Sequence, residues 1–391
     1  MEFIGSLRWF GNNDRITLGQ IRQGGAREVV TALHEKPIGA VWEKEEITAL
    51  LERIRAAGLD WTVVESLPVH EDIKKGKPER ERWIENYIAS LQNLAACGIR
   101  VICYNFMPLL DWVRTDLRYP VAGGRDALAF DWKCLALFDI FLLKRVGAAE
   151  CYPEAWVSDA AKMLETLDEE GIQQLIHTIL KGTQSFVNGP MGELDAADLM
   201  VGFNELLASY DGIGTAELRS NYRYFLDRVV PEAARANIYL AVHPDDPPFS
   251  IFGLPRIMST TEDFAWLTSI QPLPHNGITF CTGSLGSRAD MDLPAFAKKY
   301  ADRIHFLHLR FTELTESGFF EADHLSRPKD LKLILKTLKE RSSGKDALVF
   351  RPDHGQRMLH DFDVDYHPGY PLLGRLKGLF ELDAFIKAYS V

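Results

Sequence analysis

The chain has 391 residues, of which 46% are hydrophobic and 25% are charged, and its formal net charge at pH 7 is -11. These proportions are typical of a soluble globular protein that can bury a large core. The negative charge disfavours nucleic acids and anionic membrane surfaces as partners, because both repel a uniformly acidic protein.

The cysteines and the first residues favour a reduced, cytoplasmic protein. The five cysteines are odd in number and have no paired spacing, so a disulfide framework is not expected. Residues 1–5 lack the basic segment and long apolar core of a signal peptide. The most apolar stretch, 134–143, is too short for a transmembrane helix and contains Asp139. We therefore expect a cytoplasmic location.

Short apolar runs alternate with amphipathic helix patterns along the chain. Apolar residues at helical spacing over 47–54 and 84–91 are followed by Gly58 and Gly98, and a β-rich run follows each glycine. The same unit recurs towards the C-terminus. The predicted strands are 7–10, 29–33, 61–65, 101–106, 238–243, 278–281, 304–308 and 347–351.

Eight strands that alternate with helices predict an α/β fold, a closed (β/α)8 TIM barrel, as one domain over residues 1–391. No Gly-x-Gly-x-x-Gly sequence follows any of these runs, which disfavours an open dinucleotide-binding sheet. Residues 107–216 interrupt the alternation and are predicted to be a helical insertion without a convincing strand. Because it follows a strand, the insertion should emerge at the C-terminal rim, as a lid or an oligomer contact.

Four of the predicted strands end at or just before a side chain that can bind a divalent metal: His243, Cys281, His308 and Asp353. Taken singly, each has a simpler explanation, since buried cysteines and histidines are commonly part of a core. In a barrel, however, the ends of all parallel strands meet at one rim, where the active sites of this fold lie. The four side chains together therefore predict the metal centre of an enzyme.

The ligand types restrict the metal. Two imidazoles, a thiolate and a carboxylate suit a borderline ion such as Fe²⁺, Mn²⁺, Co²⁺ or Zn²⁺. A closed tetrahedral zinc site that only stabilises the fold is the alternative. His305 and His308 are three residues apart in one strand and face opposite sides of it. If His308 points into the barrel, His305 packs outward.

Seven short motifs are spread through the chain. They are Arg8-Trp-Phe-Gly11, Val63-Val-Glu-Ser66, His70-Glu-Asp-Ile73, Val101-Ile-Cys-Tyr-Asn-Phe-Met-Pro108, Ala241-Val-His-Pro-Asp-Asp-Pro-Pro248, Phe280-Cys-Thr-Gly-Ser284 and Arg351-Pro-Asp-His-Gly355. Together they resemble the motifs of the mannonate dehydratase family over nearly the whole chain. The resemblance implies a xylose-isomerase-like barrel, a bound Mn²⁺ or Fe²⁺, and conversion of D-mannonate to 2-keto-3-deoxy-D-gluconate in hexuronate catabolism.

The resemblance also implies roles for individual residues. The family's metal ligands fall on the four side chains already named. Its catalytic histidine falls on His354 and its catalytic tyrosine on Tyr370, with Tyr366 nearby. Dehydration removes the proton at C2 and expels the hydroxyl at C3, which requires a base, an acid and stabilisation of negative charge. Which of the two residues is the base stays open.

A sugar acid also needs donors for its oxygens. The predicted substrate-binding residues are Arg8, Arg288, Arg310, Asn105 and His324. A guanidinium can bind a carboxylate through two hydrogen bonds, while a surface ion pair is the alternative for each arginine. Asp245 and Asp246 are predicted to shape the turn before Pro247 instead of contacting substrate.

Two other functions remain open from the sequence. One is a sugar isomerase or epimerase on the same metal-dependent barrel, which also exploits an acidic C–H bond. The other is a barrel that binds carbohydrate without catalysis and uses its metal structurally. In each case we expect a small-molecule substrate or ligand and a homo-oligomer.

Overall fold

Eight of the apolar runs form one parallel sheet in the computed structural model, which describes residues 1–184, 199–341 and 346–389. The strands found in these residues are β1 (Glu2–Arg8), β2 (Glu28–Val30), β3 (Val63–Glu65), β4 (Val101–Tyr104), β5 (Asp116–Val121), β6 (Arg125–Asp131), β7 (Tyr239–Val242), β8 (Asn276–Cys281), β9 (Ile304–His308), β10 (Thr312–Leu314), β11 (Gly318–Glu321) and β12 (Ala347–Arg351). The order in the large sheet is β2-β1-β12-β9-β8-β7-β4-β3.

The two outer strands of that order meet and bring the sheet close to a full ring. The backbone N–H of Glu65 donates to the carbonyl of Thr31 at 3.0 Å, and Thr31 and Val64 form a parallel bridge. All neighbouring strands in the sheet are parallel. The predicted (β/α)8 barrel is therefore confirmed. Its first strand, β1 (Glu2–Arg8), begins five residues before the predicted run 7–10 and shares only residues 7 and 8 with it.

Alternation along the strands separates two apolar layers. Val30, Val63, Cys103, Phe306 and Val349 form one buried cluster, a residue from each of five strands, which fills the interior of the barrel. Their sequence neighbours, such as Val64, Leu307 and Phe350, belong to the large cluster shared with the helices. Because side chains alternate along a strand, the residue two positions after each of these, at or just after the end of its strand, also points inward.

The described α-helices lie around the barrel and within the 107–216 insertion, and the two before Gly58 and Gly98 end where the glycine pattern predicts. They are α1 (Leu18–Gln23), α2 (Lys44–Ala56), α3 (Glu71–Lys74), α4 (Arg80–Ala96), α5 (Trp132–Ala136), α6 (Glu154–Thr166), α7 (Glu169–His177), α8 (Leu199–Ala208), α9 (Thr215–Arg235), α10 (Thr261–Ile270), α11 (Thr282–Gly286), α12 (Leu293–Tyr300), α13 (Pro328–Arg341) and α14 (Leu372–Tyr389). Gly58 and Gly98 follow α2 and α4 with φ of +76° and +89°, a conformation that glycine adopts without strain. None of the described helices is long and apolar enough to cross a membrane.

The expectation that 107–216 contains no strand is wrong. Strands β5 and β6 form an antiparallel hairpin across a turn at Gly123 and Gly124, both with positive φ. They join β10 and β11 in a second sheet of order β10-β11-β6-β5. Pro120 lies in β5, and a proline disfavours the prediction of a strand but is tolerated on an edge strand such as this one. Residues 185–198 of the insertion lie outside the described residues, and its role as lid or oligomer contact stays a prediction.

Candidate metal centre and catalytic site

The strand ends bring three metal-binding side chains together. His243 follows β7, while Cys281 and His308 are the last residues of β8 and β9. One potential ligand atom from each lies within 4.8 Å of the others, and Nε2 of His243 is 3.1 Å from Nδ1 of His308. Two nitrogens that each lie about 2.1 Å from one ion are separated by about 3.0–3.4 Å. The pair therefore has the spacing of two ligands of one metal ion.

Asp353 lies at the edge of this cluster. Its Oδ2 atom is 3.5 Å from Nδ1 of His308 and 3.8 Å from Sγ of Cys281. The backbone φ of Asp353 is +60°, a left-handed conformation that is uncommon outside glycine and is tolerated best by Asn and Asp. This turn, directly after Pro352, aims the carboxylate at the two ligands.

The protonation of Cys281 suits a metal ligand. Burial alone would raise the pKa of its thiol, but Arg310 and the imidazoles of His243 and His308 hold that pKa well below its usual value. The thiolate is the form that binds metal. Ser284 supports the sulfur, with its Oγ donating at 3.1 Å and its backbone N–H at 3.4 Å. The donor set of two imidazoles, a thiolate and a nearby carboxylate therefore fits a borderline divalent ion.

The opposite nitrogen of His308 meets a buried carboxylate. Its Nε2 atom lies 3.3 Å from Oε1 of Glu65 and 3.1 Å from Nε of Arg351. Burial alone would raise the pKa of Glu65, but Arg351, His308 and Arg8 hold it well below its usual value. A carboxylate in this position orients a metal-binding histidine. His305 points the other way, as predicted, and its Nε2 pairs with the carbonyl of Pro274 at 2.8 Å.

His354 and Tyr370 lie side by side next to the metal centre. Their ring centroids are 5.1 Å apart in an edge-to-face arrangement, and Trp112 packs on His354 at 4.9 Å. Nδ1 of His354 is 3.1 Å from Oε1 of Glu321, while its Nε2 is 3.9 Å from Oδ1 of Asp353. Burial and the charge of Asp353 raise the pKa of Tyr370 to about 12, so at neutral pH its phenol carries a proton.

One cavity joins these groups to candidate substrate donors. Its lining includes Arg8, Asn105, His243, Asp353, His354 and Tyr370. Arg8 is buried, and its Nε atom has no hydrogen-bond partner among the described residues, while its Nη1 lies 3.5 Å from Oε1 of Glu65. Asn105 donates from Nδ2 to Asp111 at 2.8 Å. Arg8 and Asn105 thus lie where a substrate in this cavity would contact them.

The other three predicted substrate residues lie elsewhere. Arg310 is buried and donates hydrogen bonds to the carboxylates of Asp353, Glu321 and Asp246. Arg288 pairs with Asp290 in the chain segment after α11. His324 is buried with its Nε2 2.9 Å from the carbonyl of Pro352. All three side chains have protein partners in the structure, and their role in substrate binding stays a prediction.

The side chain of Asp245 has the turn-shaping role that was predicted for it, whereas the side chain of Asp246 has a different environment from the predicted one. Asp245 accepts hydrogen bonds from the backbone N–H of Met258 and from Ser259, which shapes the local turn. Asp246 instead lines the cavity and binds Arg114 through both of its carboxylate oxygens, at 2.7 and 3.1 Å.

A cluster of buried charges surrounds the site. It consists of the carboxylates of Glu65, Asp246, Glu321 and Asp353 and the guanidinium groups of Arg8, Arg114, Arg310 and Arg351. Burial would raise the pKa of Asp246 and of Glu321, but the arginines keep both below their usual values, with that of Glu321 at about 2. Within this cluster the four cations match the four anions, and the thiolate of Cys281 adds one negative charge.

Comparison with known proteins identifies the family. A family model described as D-mannonate dehydratase (UxuA) matches residues 3–391. The chain belongs to the D-mannonate dehydratase family. It is 48% identical to a mannonate dehydratase of Chromohalobacter salexigens and 43% identical to one of Marinomonas sp., with 96% of both chains covered in each comparison. It is also similar to the crystal structure of mannonate dehydratase from Streptococcus suis serotype 2, with 33% identity, a TM-score of 0.77 and coverage of 100% of this chain and 95% of the other.

Membership of the D-mannonate dehydratase family confirms several predictions made from the sequence. The chain is an enzyme, a hydro-lyase that dehydrates D-mannonate, and the resemblance read from its motifs is correct. His243, Cys281 and His308 form a possible metal site, as expected for a metal-dependent family.

Several residues beside the candidate site of this D-mannonate dehydratase family member were missed from the sequence. Glu65 is the last residue of β3 and has a carboxylate that can bind a metal, so the rule that selected Cys281 and His308 would have found it too. Arg351, the last residue of β12, fits only the weaker rule that was applied to arginines. Arg114 and Glu321 come from the segment before β5 and from β11, which no barrel pattern predicts. No signal in the sequence placed these two beside the site.

Proposed function

We propose that this enzyme converts D-mannonate to 2-keto-3-deoxy-D-gluconate in hexuronate catabolism, with Mn²⁺ or Fe²⁺ held by His243, Cys281, His308 and Asp353. The observation that carries the proposal is the cluster of two imidazoles and a thiolate within 4.8 Å at the rim where active sites of this fold lie. A cytoplasmic location and a homo-oligomeric state stay predictions from the sequence.

The reaction requires catalysis at two carbon atoms, C2 and C3. The proton at C2 is only weakly acidic, and the hydroxyl at C3 leaves poorly without protonation. A divalent ion in this site would stabilise the negative charge that develops on the substrate oxygens as the C2–H bond breaks. An ion held by this mixed donor set would be able to bind those oxygens as well, unlike an ion in a closed structural zinc site.

The two proton transfers fall to His354 and Tyr370. Glu321 holds Nδ1 of His354, so Nε2 is the atom available to accept a proton from the substrate. Tyr370 carries its proton at neutral pH because burial and Asp353 raise its pKa to about 12, and it would donate that proton to the departing hydroxyl. Each transfer typically contributes about 10²–10⁴-fold to the rate.

Arg8 and Asn105 would bind the substrate. The buried Nε of Arg8, which has no partner among the described residues, is available for a carboxylate oxygen of the sugar acid. A hydrogen bond between a guanidinium and a carboxylate is stronger than one between neutral groups. Asn105 offers a neutral amide for a hydroxyl group of the sugar chain.

The test is product analysis by mass spectrometry under anaerobic conditions, with Mn²⁺ or Fe²⁺ added to the purified enzyme. We expect a 2-keto-3-deoxy acid that is lighter than D-mannonate by one water. A product of unchanged mass would instead identify a sugar isomerase or epimerase. Chelation tests the structural alternative, because removal of a catalytic ion abolishes turnover and leaves the protein folded, whereas removal of a structural ion unfolds it.

A further inference from the structure

Glu321 lies at the meeting point of the second sheet and the barrel. It is the last residue of β11 and is buried, with 3% of its surface exposed. Its Oε1 atom accepts from Nη2 of Arg114 at 2.7 Å and from Nη1 of Arg310 at 2.6 Å. The same oxygen faces Nδ1 of His354 at 3.1 Å. One carboxylate therefore contacts two cations and the candidate catalytic histidine.

The charge of Glu321 decides which nitrogen of His354 carries a proton. Two arginines keep the carboxylate ionised, and an ionised carboxylate can only accept hydrogen bonds. Nδ1 of His354 must therefore be the donor. In the neutral ring the other nitrogen, Nε2, then has no proton, and Nε2 is the one on the side of Asp353, at 3.9 Å.

The surrounding rings hold the imidazole in this orientation. Trp112 and Tyr370 pack on two sides of it, at 4.9 and 5.1 Å between ring centroids. A Cβ atom at Gly369 would lie 3.1 Å from Cδ2 of His354, so the chain also passes close to the ring. A flip of the ring would put Cδ2 in the place of Nδ1, which would break the contact with Glu321 and leave that carboxylate oxygen to the arginines alone.

We propose that Glu321 is a positioning residue that fixes His354 in the Nδ1–H tautomer and directs Nε2 to the substrate, so that the second sheet is part of the catalytic apparatus. The proposal deepens the proposed function and rests on it for the role of His354. Arg310 strengthens the arrangement, because it bridges Glu321 and Asp353 and so fixes the base relative to the metal centre.

The first test is NMR of the full-length protein labelled with ¹⁵N-histidine and loaded with Zn²⁺, which is diamagnetic. The signals of His354 are assigned by their loss in His354→Asn. At a pH where the ring is neutral, we expect a protonated Nδ1 and an unprotonated Nε2. A ring protonated at Nε2 would overturn the proposal. The NMR result does not depend on turnover. A failure of the proposed function would instead appear in product analysis of the wild-type enzyme, so the two failures can be told apart.

The second test is kinetic. In Glu321→Gln we expect kcat to fall by about 10²-fold or more, the range of one proton transfer, while KM for D-mannonate changes little. The matched control is Glu313→Gln, an exposed residue of the neighbouring strand β10, which should behave as wild type. A folded Glu321→Gln enzyme with unchanged kcat would contradict the proposal. If this variant does not fold, the NMR measurement on the wild-type protein decides.

Discussion

Nε of Arg310 donates a hydrogen bond of 2.6 Å to Oδ2 of Asp353. The same guanidinium donates from Nη1 to Glu321 at 2.6 Å and from Nη2 to Asp246 at 2.5 Å. Three carboxylates are thus fixed by one planar group, and one of them belongs to the candidate metal centre. Arg310, which was predicted from the sequence to bind substrate, donates to three carboxylates beside the candidate metal centre, and its role in substrate binding stays a prediction.

Arg310→Lys should weaken metal binding. An ammonium group cannot replace three hydrogen bonds that diverge from one planar fork, so Asp353 would lose its fixed orientation. Loss of such a supporting contact typically costs about 10–100-fold in metal affinity or activity. Titration of the metal-free protein with Mn²⁺ measures the affinity, and Arg223→Lys, at an exposed arginine, is the control. An affinity equal to wild type in Arg310→Lys would show that Arg310 does not support the site.

His354→Asn should abolish turnover but keep the metal. The four proposed ligands remain, whereas the group that moves a proton at Nε2 is lost, so kcat should fall by about 10²–10⁴-fold. Metal content by elemental analysis and kcat are measured on the same preparation. His360→Asn serves as control, since the His360 side chain is 91% exposed. Loss of metal from His354→Asn would mean that His354 is itself a ligand.

Arg8→Lys should raise KM for D-mannonate. Lysine keeps the positive charge but cannot present Nε together with a terminal nitrogen to a carboxylate. A hydrogen bond to a charged group contributes about 1.5–3 kcal/mol, which corresponds to roughly 10–100-fold in binding. Steady-state kinetics measure the effect. Arg223→Lys, at an exposed arginine, is the control, and an unchanged KM in Arg8→Lys would refute the assignment of Arg8.

Arg114→Met should destabilise the fold. The Arg114 side chain is fully buried and pairs with Asp246 and Glu321, so its removal leaves two buried carboxylates with fewer partners. Breaking a buried ion pair in this way costs about 3–5 kcal/mol. Denaturant unfolding compares this variant with Arg223→Met, whose exposed pair with Asp227 contributes at most about 0.5 kcal/mol. Equal stability of the two variants would contradict a structural role for the charge cluster.

Much of the barrel and of the metal centre follows from local sequence patterns. The apolar runs predict the strands, and the fold rule that parallel strands end at one rim predicts that His243, Cys281 and His308 meet. Strand alternation correctly sorts His308 from His305. Each of these inferences uses only residues within one strand and the topology that joins the strands.

The surrounding charge cluster could not be predicted in the same way. Arg114 and Glu321 are brought to the site by the second sheet, whose strands β6 and β11 pair across a long stretch of sequence. Pairing between distant segments leaves no local pattern in one sequence. Conversely, Arg288 satisfied the local pattern, but Asp290 two residues later engages its side chain. The role of an arginine depends on the groups that its side chain contacts, and its position near a strand end is not enough to predict that role.

Anomalous diffraction from a crystal grown with Mn²⁺ tests most directly whether these side chains converge on one ion. We expect a manganese peak bonded to Nε2 of His243, Sγ of Cys281, Nδ1 of His308 and a carboxylate oxygen of Asp353. No manganese peak among these four side chains, or a peak from which Cys281 is absent as a ligand, would contradict the proposed metal centre.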